Sequence, residues 1–219
     1  MTLPEALMKA VVRQFGRPSG LLGALVGEIM ANRASNRERS RRTLELLEIQ
    51  PHDRVLEIGF GPGLALAWAA EIAYRGKVVG IDHSEVMFGQ AARRNAAAMA
   101  AGRVELHLAS LDTLPSFEAP FDKALAVNVY MFWDDAPAAL RRVSALLRPG
   151  GTFAVTHQPR HRGATAEDTA RAGDRIASDL RTSGFERVRV ELLPMKPVPA
   201  VCVIAVRRAS ATADATSAA

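Results

Sequence analysis

Hydrophobic positions change period along this chain, and the changes mark out its elements. Leu3, Leu7, Val11 and Phe15 repeat at helical spacing, as do Leu21, Leu22, Leu25, Val26, Ile29 and Met30. Gly16 to Gly20, with Pro18 inside it, separates the two patterns. Ser35 followed by Glu38 reads as a capping box for a helix running through Leu44, Leu46 and Leu47 to about Ile49, and Pro51-His52-Asp53 turns the chain.

From there apolar runs of strand length alternate with helical patterns. Val55 to Ile58, Val78 to Ile81 and Val104 to Leu108 read as buried strands, separated by helices over Leu64 to Tyr74 and from the cap Ser84 to Gly102. After the turn at Leu114-Pro115 come a strand over Ala124 to Val129, a helix from Asp134 or Asp135 to Leu147, and a strand over Phe153 to Thr156. A helix from about Thr165 to Thr182 stops at Gly184. Two strands follow, Arg187 to Leu193 and Ala200 to Arg207, joined so closely by Pro194 to Pro199 that they must pair antiparallel. The expected fold is α/β: a doubly wound, Rossmann-like sheet, mostly parallel, with a C-terminal antiparallel pair. Residues 51–208 are expected to form one domain, residues 1–50 an N-terminal helical lid or extension, and the Ala-, Ser- and Thr-rich stretch 209–219 a disordered tail.

Composition changes this picture little. A chain of 219 residues with 48% hydrophobic content buries enough surface to need no disulfides, and its single cysteine, Cys202, sits in an apolar run that reads as a buried strand. No apolar stretch is long enough to span a bilayer and no secretion signal is visible, so a cytoplasmic location is expected. The formal charge of +5 is concentrated at Arg33, Arg37, Arg39, Arg41 and Arg42, a run expected to be a solvated helix face.

The candidate chemistry lies in Val55-Leu56-Glu57-Ile58-Gly59-Phe60-Gly61-Pro62-Gly63. Glycines there let a strand turn tightly into a helix and let a ligand reach the backbone, where exposed N–H groups at the helix start favour an anion. Asp82 ends the next strand, where an acidic side chain can accept both hydroxyls of a ribose. The nicotinamide-dinucleotide fingerprint would need a third glycine at position 64, which is Leu64, and Glu57 would repel a pyrophosphate. A ligand carrying an ammonium suits Glu57 better.

On these residues the chain resembles the class I S-adenosylmethionine-dependent methyltransferases, especially the small-molecule group with a type 11 methyltransferase domain. The resemblance covers about Asp53 to Arg207 and implies a seven-stranded sheet. It also implies S-adenosylmethionine as cofactor, with S-adenosylhomocysteine as product. It places Glu57, Gly59, Gly61 and Gly63 at the methionine end, Asp82 at the ribose, and His83, Met87, Ser110 and Leu111 near adenine. Asn128, with Val129, would close the pocket near the methionine amino group. Leu147-Arg148-Pro149-Gly150-Gly151 looks like the family's turn into its fifth strand. Where many relatives carry an acid before the Leu-Pro turn, this chain has Ser110, with Asp112 nearby.

Methyl transfer needs orientation and dryness first, and a base only if the acceptor must lose a proton. The acceptor is expected beyond the carboxyl ends of the fourth and fifth strands, which points to Tyr130 and Trp133 as pocket walls and to Tyr130 and His157 as catalytic candidates, His157 as the base. Phe132 is expected to pack internally. No metal site is expected.

The expected activity is methylation of a small, partly apolar metabolite at O, N or C, by a monomer or homodimer. A nucleic-acid methyltransferase and an NAD-dependent oxidoreductase are the alternatives. Against the first, the arginine run has no interleaved aromatics, and Asn128-Val129-Tyr130-Met131 does not match the Asn/Asp-Pro-Pro-Tyr motif of base-amine methylators. A peripheral membrane contact through the N-terminal segment is a rival to its role as a lid.

Overall fold

The computed structural model describes residues 34–209; the amphipathic patterns expected over residues 1–33 and the tail from 210 lie outside the described residues. Helix α1 spans Ala34–Leu47, β1 Arg54–Ile58, α2 Leu64–Ile72, β2 Lys77–Asp82, α3 Glu85–Arg94, α4 Ala96–Ala100 and β3 Val104–Leu108. Then come β4 at Phe121–Val127, a 3-10 turn at Tyr130–Phe132, α5 at Ala136–Leu146, β5 at Leu147–His157, α6 at Ala166–Thr182, β6 at Phe185–Leu193 and β7 at Ala200–Arg207.

The strands form one seven-stranded sheet in the order β3-β2-β1-β4-β5-β7-β6. The first five are parallel, and β7 runs antiparallel between β5 and β6. Period-2 alternation splits each buried strand between two cores. Leu56, Ile58, Val79, Ile81, Phe153 and Val155 pack against α5 and α6, where Leu140, Val143, Ile176 and Leu180 meet them. Val55, Val78, Leu125, Ala154 and Cys202 face α1, α2 and α3 through Leu44, Leu47, Leu66 and Met87. With both faces covered, these strands can be apolar at every position. Chain order reverses between β1 and β4, so a crevice opens at their carboxyl ends, where ligands of such sheets bind.

Several boundaries differ from expectation for local reasons. The helix expected from Ser84 to Gly102 is broken at Asn95, whose buried amide donates to Ala91 O at 2.9 Å and to Gly63 O at 3.0 Å. Strand β5 starts at Leu147 rather than Phe153, because Leu147 pairs with Phe121 before a bulge restores the register at Thr152 and Lys123. Ser35 lies inside α1 rather than capping it, and its hydroxyl accepts from Arg160 at 2.9 Å. Asp135, not Asp134, caps α5 by accepting the Ala138 N–H at 2.9 Å, and Thr165 with Asp168 forms a capping box on α6.

The arginine run is not a solvated face throughout. Arg39 is buried and donates to Gln158 and Asn36. It shares the inward stripe of α1 with Thr43 and Leu47, four and eight residues on, which is where helical spacing puts it. Arg41 and Arg42 pair with Glu38 and Glu45 on the outer face, and the Arg37 guanidinium stacks 5.4 Å from the Trp68 ring centre.

Candidate active site

The loop between β1 and α2 holds Gly59, Gly61 and Gly63 at φ of 69°, 52° and 77°, the left-handed region that side chains resist. Space decides as well as backbone. A Cβ on Gly59 would lie 2.5 Å from a methyl carbon of Val129, and one on Gly63 would lie 2.7 Å from the Ala91 Cβ. Among the described residues nothing lies within 4 Å of the corresponding point on Gly61, so that side of the loop's middle is unobstructed.

Asp82 locks this loop to the end of β2. Its Oδ2 accepts the Gly61 N–H at 2.8 Å and its Oδ1 accepts the Ser84 N–H at 2.9 Å. Burial pushes its carboxyl above the ordinary value, against the pull of these N–H donors. The loop after β3 joins the same point, since the Ala109 N–H donates to Asp82 O at 2.9 Å.

Glu57 occupies the next inward position on β1 and is only 4% exposed. It accepts the backbone N–H of Leu66 in the first turn of α2, yet among the described residues its Oε2 has no hydrogen-bond partner. Burial, and then the charge of Asp82, hold its carboxyl well above the usual range. A buried carboxyl with an oxygen unpaired among the described residues, beside a glycine turn at a helix start, fits a ligand carrying an ammonium, which would supply the missing partner. The residues present therefore fit the amino-acid end of S-adenosylmethionine.

The other expected adenine contacts are dispersed. His83 is exposed, Met87 is buried among the residues under α3, and Leu111 is buried in the core on the opposite face of the sheet. Ser110 is held in a turn, its N–H donating to Thr113 Oγ1 at 3.0 Å and its Oγ accepting the Asp112 N–H at 3.3 Å. Asp112 itself pairs with Arg142.

Beyond β4, Asn128 takes a left-handed backbone with φ of 56°; its N–H donates to Thr156 O and its Oδ1 accepts the Gln158 N–H at 2.8 Å. Tyr130 and Trp133 are half-buried and meet edge to face with ring centres 5.8 Å apart. The Tyr130 hydroxyl donates to Asp179 of α6 at 2.5 Å, and burial followed by that carboxylate raises the phenol far above its usual range. Phe132, expected to be internal, is instead 51% exposed beside exposed Met131, because the 3-10 turn lifts both off the sheet.

His157 ends β5, nine-tenths buried, and among the described residues its Nδ1 has no hydrogen-bond partner. Burial foremost, then the charges of Arg39 and His161, lower its pKa to about 4. Its neighbours are pinned: the Thr156 hydroxyl lies 2.6 Å from that of Thr43, and Gln158 is fully buried. Arg39, Thr43 and Gln158 were missed as site residues. The stripe of Asn36, Arg39 and Thr43 at helical spacing was the available signal; Gln158 offered none.

A glycine turn tied to a strand-end acid, beside a buried carboxyl at the switch point of this sheet, fits an S-adenosylmethionine-binding enzyme of the Rossmann-like class. Residues 55–151 match the model of a methyltransferase domain. The chain is 33% identical over 186 residues to the uncharacterized methyltransferase YdaC of Bacillus subtilis, a match covering 85% of this chain and 99% of that one. It belongs to the class I S-adenosylmethionine-dependent methyltransferase family. It is also 36% identical over 119 residues to nocamycin O-methyltransferase of Saccharothrix syringae, covering 53% of this chain and 42% of the relative. Among solved structures, the N-methyltransferase NodS of Bradyrhizobium japonicum in complex with S-adenosylhomocysteine has the same fold, with a TM-score of 0.63, 18% identity, and coverage of 80% of this chain and 89% of that one.

Proposed function

We propose that this methyltransferase acts on a small, partly apolar metabolite, with Glu57, the glycine turn and Asp82 holding the cofactor. The observation that carries the cofactor assignment is the buried Oε2 of Glu57, which has no hydrogen-bond partner among the described residues. When bound, the cofactor would supply a methyl group already activated on a sulfonium, which passes to an acceptor in line with the C–S bond and leaves the neutral thioether of S-adenosylhomocysteine. Glu57 would bind the ammonium, Asp82 would accept ribose hydroxyls on the lone pairs its backbone N–H donors leave, and Asn128 would border the methionine end.

The acceptor side is assigned to Trp133 and Tyr130 as walls and to His157. With a pKa of about 4 the imidazole is neutral near neutral pH, so it accepts a hydrogen bond from the acceptor and orients it. As a base it is weak, which favours acceptors that ionise readily, such as enolic or phenolic oxygens and acidic carbon. The match to nocamycin O-methyltransferase supports a small-molecule acceptor. The pairing of Arg41 and Arg42 with glutamates on the outer face of α1 weighs against a nucleic-acid acceptor. Among the described residues no helix is long and apolar enough to cross a membrane.

The test has two stages. Calorimetry with S-adenosylhomocysteine and with NADH should show binding of the first alone; NADH binding in its place would overturn the cofactor site. A metabolite extract incubated with methyl-labelled cofactor should then yield a labelled small molecule, and labelling confined to added RNA or DNA would overturn the acceptor class.

A further inference from the structure

Gln158 follows His157 out of β5 and is fully buried. Its Oε1 accepts from the Arg39 guanidinium in α1, and its Nε2 donates to Val198 O at 2.6 Å and Lys196 O at 3.3 Å in the β6–β7 turn. Its backbone N–H donates to Asn128 Oδ1 at 2.8 Å. Asn128 in turn precedes Val129, whose methyl carbon fills the place a Cβ on Gly59 would take. One residue thus joins α1 and the β6–β7 turn through its side chain and the end of β4 through its backbone, and Asn128 and Val129 connect it to the glycine loop. Both ends of its side-chain amide are in use, and no other uncharged side chain of its length offers an acceptor and two donors together.

We propose that Gln158 is a positioning residue of the cofactor site, holding Asn128 in its left-handed conformation against the glycine loop without touching the cofactor itself. The inference rests on the placement of Asn128 at the methionine end. The side chain of Gln158 immobilises its own backbone N–H, and that N–H fixes the Asn128 carboxamide. Asn128 then sets how closely Val129 approaches Gly59.

A double-mutant cycle on the full-length protein tests this, with S-adenosylhomocysteine binding measured by calorimetry for the wild type, Asn128→Ala, Gln158→Leu and the double variant. Each single change should weaken binding about tenfold, and the double should be little worse than either, because both break one path. Losses that multiply to about a hundredfold, or wild-type binding by Gln158→Leu, would overturn the proposal. A purely structural role would lower the melting temperature and leave affinity measured well below it unchanged. Should Gln158→Leu not fold, Gln158→Glu keeps the volume and the acceptor for Arg39 but loses both donors; it should also bind more weakly, and unchanged binding counts against the proposal. If Asn128→Ala alone binds as the wild type does, the placement of Asn128 falls first, a result distinct from additive losses.

Discussion

Asp82 Oδ2 accepts the Gly61 N–H at 2.8 Å, so the acid at the end of β2 and the middle of the glycine loop, 21 residues apart in sequence, are one unit before any ligand arrives. The loop is thereby held in the left-handed shape that leaves its backbone open. Asp82→Ala removes both this brace and the acceptor for ribose hydroxyls. Affinity for S-adenosylhomocysteine should fall on the order of a hundredfold, read by calorimetry, since charged hydrogen bonds are the stronger kind. Asp82→Asn, keeping an acceptor without the charge, should lose less.

Glu57→Gln should separate stability from binding. The folded protein raises this carboxyl, by burial and then by the charge of Asp82, so its contribution is fully present below the ordinary value of 4.5 and is lost as pH rises through the raised one. At neutral pH the cofactor-free Gln variant should therefore match or exceed the wild type in urea denaturation, while its cofactor affinity falls. A variant that is less stable at neutral pH and binds normally would contradict both halves.

His157 works in the opposite sense. Its pKa is lowered to about 4, chiefly by burial, so the stability it contributes is present above the ordinary value of 6.5 and is lost as pH falls toward 4. The stability difference between wild type and His157→Phe should shift across that window with a slope approaching about 1.4 kcal/mol per pH unit. Urea titrations at several pH values would reveal it; a constant difference would mean the imidazole is not held neutral.

Tyr130→Phe removes the bond to Asp179 and leaves the ring in place. It should cost about 1 kcal/mol of stability near neutral pH, with cofactor affinity preserved, because the phenol pins the 3-10 turn to α6. With the phenol raised, that contribution holds below the ordinary value of 10.0 and fades only at higher pH. Turnover collapsing at neutral pH while stability stays intact would instead put the hydroxyl in the chemistry.

The elements most legible in the sequence were those whose signal is local. Val55 to Ile58 and Ala200 to Arg207 are apolar runs bounded by turn residues, and the helix expected from about Thr165 to Thr182 lies at Ala166–Thr182. The misplaced boundaries depend on distant partners: Asn95 breaks its helix to reach Gly63, and Leu147 begins a strand because Phe121 lies beside it. Arg39 has a charged side chain that composition alone assigns to water. Only the position of α1 over β5 gives it Gln158 to bind.

The sequence by itself determined the order of strands and helices, the antiparallel closing pair, and the cofactor turn, because hydrophobic period, turn chemistry and glycine conformation act over a few residues. Tertiary structure decided the surroundings of the side chains at the ends of β4 and β5: that the Tyr130 hydroxyl faces Asp179, that Phe132 is exposed, that His157 is buried with a lowered pKa, and that Gln158 ties α1 to Asn128. Those properties are set by burial and by hydrogen bonds between groups 30 to 119 residues apart, distances over which no local pattern carries information.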